Sequence, residues 1–184
     1  MPCILTGDFN NNTAIRFGGA NCFWGEVTNV NLTCDFNNNR AEKYYGGANY
    51  FNGNMTNVNI TGKFINNTAK NNRYGGANLF KNSLSDVTII ADFFGNKGGD
   101  AGANSFENEL RNVNIVGDYT NNYAYYDGGA NIFKGNLTNV NMTGSYLINN
   151  AKRKGGANAF RGILTDVNII ANYSGNTAKD EHGG

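Results

Sequence analysis

The residues able to do acid–base work in this chain are its carboxylates. Cleaving a glycosidic bond takes two of them roughly 5–9 Å apart. Asp35, Asp92 and Asp118 hold equivalent places, each just before an aromatic residue, but only Asp92 and Asp118 fall in neighbouring units of the repeat described below. Asp86 and Asp166 share a second place three units apart, too far to cooperate. The one His, His182, lies in the tail. Cys3, Cys22 and Cys34 all fall near the start, without the close, regular pairs of a zinc site or disulfide framework. Cys3 and Cys34 are expected to be buried as small hydrophobes, and Cys22 to face outward as a free thiol. On residue types alone we expect no catalytic group, no metal and no cofactor.

What positions these residues is a repeat. Gly-Gly-Ala-Asn begins at Gly18, Gly46, Gly75, Gly128 and Gly155, with the variant Ala101-Gly102-Ala103-Asn104 in the remaining slot, at spacings of 28, 29, 26, 27 and 27. Two residues past each marker Asn stands a Phe: Phe23, Phe51, Phe80, Phe106, Phe133, Phe160. An alternating run follows, such as Asn57-Val58-Asn59-Ile60, then a small residue, then an aromatic with Asn three residues on. These Asn are Asn12, Asn39, Asn67, Asn96, Asn122, Asn149 and Asn176.

Val58, Ile60, Gly62 and Phe64 alternate with polar residues, which is the period of a strand and not of a helix. About 27 residues holding two or three short strands reads as one lap of a right-handed parallel β-helix, a β-solenoid of six to seven coils. A propeller blade needs about 40 residues, so 27 is too few. The 37 Asn are too many for an ordinary core but suit side-chain ladders between stacked coils and left-handed turns. Asn39, Asn67, Asn96, Asn122, Asn149 and Asn176, with Phe51, Phe80, Phe106, Phe133 and Phe160, are therefore expected to be structural columns. The shortest unit ends in Lys97-Gly98-Gly99-Asp100, where a tightened corner is expected.

Length allows a single domain over residues 1–184. A net charge of +1 gives no electrostatic case for nucleic acid. A mean hydropathy of −0.48 and the lack of a long apolar run argue against membrane insertion. The start, Met1 to Phe9, lacks the basic residue and apolar core of a secretory signal. Both ends stop in mid-pattern, which points to a segment of a longer surface protein or to a subunit that stacks end to end into a homo-oligomeric filament.

Aromatic-x-x-Asn, as in Phe64 to Asn67, alternates with Gly-Gly-Ala, as in Gly75-Gly76-Ala77. In this the chain resembles the repeats of chlamydial polymorphic outer-membrane proteins and of the Asn/Thr-rich adhesin-like proteins of methanogenic archaea. In the chlamydial motif an aliphatic residue follows Gly-Gly-Ala, and here it is always Asn. The resemblance implies an extracellular or cell-surface β-helix that adheres to other cells, through a glycan or protein of a host or neighbouring cell.

Variation within the repeat points the same way. It gathers between the ladder Asn and Gly-Gly: Ile15 to Phe17, Glu42 to Tyr45, Lys70 to Tyr74, Tyr123 to Asp127 and Lys152 to Lys154. Stacked, these segments would form a stripe of aromatic and basic side chains. Tyr44, Tyr45, Arg73, Tyr74, Tyr125, Tyr126 and Lys154 are the candidate ligand-binding residues; the alternative is that Tyr45 and Tyr74 merely cover the corner. The chain thus reads as a non-enzymatic adhesin or stalk. Outward Asn-x-Thr rows also resemble a flat ice-binding face, but they break at Ile90, Val116 and Ile170. The triplets at Asn11, Asn31, Asn54, Asn59, Asn66, Asn136, Asn141 and Asn172 are N-glycosylation sequons, usable where the side chain faces out.

Overall fold

In a computed structural model, which describes residues 2–70 and 74–179, the chain winds as a parallel β-solenoid. Each lap contributes one strand to each of three sheets, of seven, seven and six strands. The long strands are Cys3–Asn10, Val27–Asn37, Met55–Ile65, Leu84–Phe94, Leu110–Thr120, Leu137–Leu147 and Leu164–Ser174. Two-residue strands such as Thr68–Ala69, and three-residue strands such as Asn49–Phe51, make the other two walls. Every pairing is parallel and keeps the repeat in register: Val58 beside Val87, Phe51 beside Phe80, Asn49 beside Asn78.

Alternation in the long strands turns Val58, Ile60 and Phe64 inward and leaves Asn59 and Lys63 in solvent. Two aromatic columns fill the interior. Phe9, Phe36, Phe64, Phe93, Tyr119, Tyr146 and Tyr173 stack with ring centroids 4.8–5.1 Å apart. Phe23, Phe51, Phe80, Phe106, Phe133 and Phe160 stack likewise on the short-strand wall at 4.8–5.1 Å. The spacing follows from strand pairing, since laps about 4.8 Å apart carry equivalent rings one above another. Burial raises the Tyr119 and Tyr146 phenols well above their ordinary range.

Between the columns run two buried Asn ladders. Asn67 shows the arrangement of the first. Its backbone N–H and its Nδ2 both donate to Asn96 Oδ1, at 2.9 and 3.0 Å, and Nδ2 also donates to Phe36 O at 2.8 Å. Asn67 Oδ1 in turn accepts both donors of Asn39 at 3.0 Å. Both protons and both lone pairs of the amide are therefore used, so a fully buried polar side chain costs no orphaned group. The marker residues Asn21, Asn49, Asn78, Asn104, Asn131 and Asn158 form the second ladder, Nδ2 to Oδ1 at 3.0, 3.0, 2.9, 3.0 and 3.1 Å.

Tight corners explain the remaining pattern. The second marker glycine is needed for close approach: a Cβ on Gly47 would lie 2.0 Å from Gly76 O. The first marker position is left-handed at Gly46 and Gly128 but not at Gly75, where Tyr74 takes that conformation instead with φ 51°. Ala101 likewise does not carry a positive φ, so its backbone conformation suits Ala. The expected tight corner is present: only the bends at Gly99 and Asp100 separate the strand Lys97–Gly98 from the bridge residue Ala101.

One expectation fails. Cys34 is buried, its thiol 3.3 Å from Leu5 O, but Cys3 is exposed although it registers with Val30. Among the described residues no coil lies beneath Cys3 to cover it.

The residue before each ladder Asn is left-handed: Asn11, Asn38, Asn66, Gly95, Asn121, Ile148 and Gly175, with φ of 54° to 65°. Asn and Gly suit this; a β-branched side chain does not. Ile148 is 63% exposed, so it gains little packing in return. Ile148→Asn is expected to stabilise the fold by about 1 kcal/mol, read as a higher denaturation midpoint with an unchanged slope.

Candidate functional site

The variable segments fold over the outward side of the short-strand wall. The middle residues of those strands, Cys22, Tyr50, Leu79, Ser105, Ile132 and Ala159, register one above another. Outward on a strand would mean solvent, yet Tyr50, Leu79, Ser105 and Ile132 are buried. The loops cover them, so the loop edge holds a second, thin apolar layer as well as a surface.

Two aromatic patches lie along this edge. In the first, Phe17 stacks on Tyr44 and Tyr50 at 5.6 and 5.2 Å and meets Tyr45 at 5.5 Å. Tyr45 meets Tyr74 edge-on at 4.6 Å. Trp24 stands edge-on to Phe17 and Tyr50 at 5.3 and 5.7 Å and is 59% exposed. The Tyr50 hydroxyl donates to Asn52 Oδ1 at 2.7 Å, and burial pushes its phenol up. In the second patch Tyr125 and Tyr126 pack edge-to-face at 5.1 Å. Lys152 lies over Tyr125 at 4.0 Å and Arg153 over Tyr126 at 4.7 Å.

Candidate residues Tyr44, Tyr45 and Tyr74 thus come together, and Tyr125 and Tyr126 come together apart from them. The short corner at Gly99 and Asp100 divides the stripe. Arg73 lies outside the described residues, as does His182. Lys154 is exposed at the rim of a shallow depression of about 300 Å³ shared with Asp127, Asn158 and Arg161. Asp127 is buried and meets Arg153 and Arg161 at 3.2 and 2.5 Å. Sequence reasoning placed Phe17 in the variable stripe but not among the candidate binding residues, and left Trp24 out of both. Register could have supplied Trp24, since it shares an outward column with Asn52, Lys81, Glu107, Lys134 and Arg161, each the third residue after a marker Asn.

The outer carboxylates have backbone partners. Asp35, Asp92 and Asp118 each accept an N–H from the next coil, at Lys63, Asp118 and Ser145, at 2.8, 3.1 and 3.0 Å. Asn29, Asn57, Asp86, Asn112, Asn139 and Asp166 are left-handed residues near the starts of the long strands and form an exposed row. Asn57 donates to Asn29, Asn112 to Asp86 and Asn139 to Asn112, at 2.6, 2.9 and 3.0 Å. A carboxylate has no proton to donate, so each Asp interrupts the ladder on one side. Among the described residues, no three His, Cys, Asp or Glu side chains group as metal ligands would. The sequon residues Asn11, Asn54, Asn59, Asn66, Asn136, Asn141 and Asn172 are exposed, and Asn31 is half-buried.

Comparison with protein-family models, curated proteins and solved structures found no match in any of the three.

The geometry separates two Tyr residues that look alike in sequence. Tyr45 packs against Phe17, Tyr50 and Tyr74, while Tyr44 stacks on Phe17 and meets Tyr45. Tyr45→Ala is expected to cost about 2–3 kcal/mol by opening the layer over Tyr50, and more than Tyr44→Ala. Chemical denaturation of the two variants reads the difference.

Proposed function

We propose that the chain is a non-enzymatic rod that holds aromatic patches at fixed spacing, as an adhesin or stalk at a cell surface. One observation carries this reading: Phe17, Trp24, Tyr44, Tyr45 and Tyr74 form a patch on stacked coils, with Trp24 left largely in solvent beside Asn52. Rigid aromatic rings with adjacent amide groups suit the C–H face and hydroxyls of a sugar, or a protein anchor, at low entropic cost. The ladders keep the coils from shifting, so patches on one rod stay in register and weak contacts add. The resemblance of the repeats to those of surface adhesins supports the same placement, outside the cell, on a glycan or protein of another cell.

A second reading, copies joined end to end, is favoured by ladder polarity. Both buried ladders donate toward the C-terminal coil, so only a head-to-tail contact would continue them.

Binding to a glycan array and to whole cells tests the first reading. Trp24→Ala combined with Tyr44→Ala is expected to weaken binding about tenfold or more, the equivalent of losing about 1.4 kcal/mol at a contact centre, with the circular dichroism spectrum unchanged. Undiminished binding by the folded double variant would overturn this placement of the site.

A further inference from the structure

Between the two aromatic patches lies a charged cluster that meets the first of them at Tyr74. Lys134 Nζ is 2.6 Å from Asp100 Oδ2 and 3.0 Å from the Glu107 carboxylate. The side chains of Lys134, Asp100 and Glu107 are only 19%, 20% and 10% exposed. Each is fixed from behind. The tight corner sets Asp100, since the Gly99 N–H is tied to Tyr74 O at 2.9 Å. Ser105, itself buried, donates its hydroxyl to Glu107 Oε1 at 2.6 Å. Lys134 N–H donates to Phe106 O at 2.9 Å. The Tyr74 ring closes the cluster over Nζ, 4.6 Å from its centroid. An amine, a carboxyl group to receive it and a second carboxylate to move protons are thus held together in a largely dry place.

We propose that Lys134 and Asp100 become joined by an intramolecular isopeptide bond, with Glu107 as the proton carrier. The new bond runs from Lys134 Nζ to Asp100 Cγ. One Cγ–O bond breaks, and that oxygen leaves as water. Ammonium plus carboxylate becomes amide plus water, so atoms and charge balance without an oxidant or a cofactor. Burial pulls the Lys134 ammonium down, but the Asp100 hydrogen bond and the Glu107 and Asp100 charges outweigh it and raise its pKa. The ion pair is therefore the resting form. The reactive form is its neutral tautomer, reached by moving one proton along the short hydrogen bond to Asp100 with no change in net charge. As the C–N bond forms, Glu107 takes the second amine proton and passes it to the departing oxygen.

Condensation of an amine with a carboxyl group is unfavourable between free molecules in water. Here both groups are held in contact, and well-placed intramolecular partners reach effective molarities on the order of 10⁵ M or more. The product also replaces a partly buried charge pair with a neutral amide, reducing its desolvation cost. The bond would tie the corner at Asp100 to the coil that starts at Gly128, across the coil between them, clamping three laps against unwinding.

Intact-mass spectrometry of the purified full chain tests this. The expected mass is lower than the sequence mass by one water, with trypsin failing to cut after Lys134 and a linked peptide joining it to Asp100. Lys134→Arg and Glu107→Gln are both expected to restore the full mass for their own sequences, with wild-type circular dichroism. A folded wild-type chain at full mass overturns the proposal, as does a lost water that maps elsewhere, for example to a cyclic imide at Asp100. A lost water that persists in Glu107→Gln overturns the role given to Glu107.

Discussion

An amide side chain buried in a protein needs hydrogen-bond partners, and stacking the coils supplies them. Asn67 meets that need by giving two bonds to Asn96 and one to Phe36 O while accepting two from Asn39. No isolated coil could satisfy it, because the partners of each Asn lie one coil before and one coil after. Stability therefore belongs to the interfaces between laps, as expected for a quasi-one-dimensional protein.

The constraint reaches outward from the ladder. It acts along the same stack that strand pairing spaces, where the rings of Phe36, Phe64 and Phe93 lie 4.8 Å apart. It sets the left-handed residue just before each ladder Asn, so Ile148 is carried into a conformation its side chain resists. The backbones of stacked laps also come so close that Gly is needed, as at Gly47. Freed from these duties, the segments between the ladder and the markers vary in length and type. The molecule's aromatic and charged individuality sits there.

Most of the fold could be read from the sequence because it is local and repeated. Strand alternation, the Phe51, Phe80 and Phe106 column and the Asn67 to Asn96 ladder each rest on a residue type recurring at one interval. The site was less legible, because loops of unequal length break that interval. Tyr45 and Tyr44 are adjacent and chemically identical, and only the fold shows Tyr45 packed against Tyr50. Trp24 falls in a repeat column, but its contact with Phe17 crosses from a loop to a strand end, where the interval gives no guide. The meeting of Asp100, Glu107 and Lys134 is invisible for the same reason: it depends on a corner shortened in one coil alone.

The ladder is tested most directly by Asn96→Asp, which keeps the shape of the side chain but removes its protons. Phe64 O and Asn122 Oδ1 then face an acceptor, and a charge is buried. At neutral pH the variant should lose several kcal/mol and melt on the order of 10 °C below wild type. Burial raises the pKa of the new Asp in the folded state above its unfolded value, so the destabilisation is full above that raised pKa. It should shrink as pH falls through it, when a protonated carboxyl can donate again. Equal melting of variant and wild type at neutral pH would contradict the claim that the ladder holds the coils together.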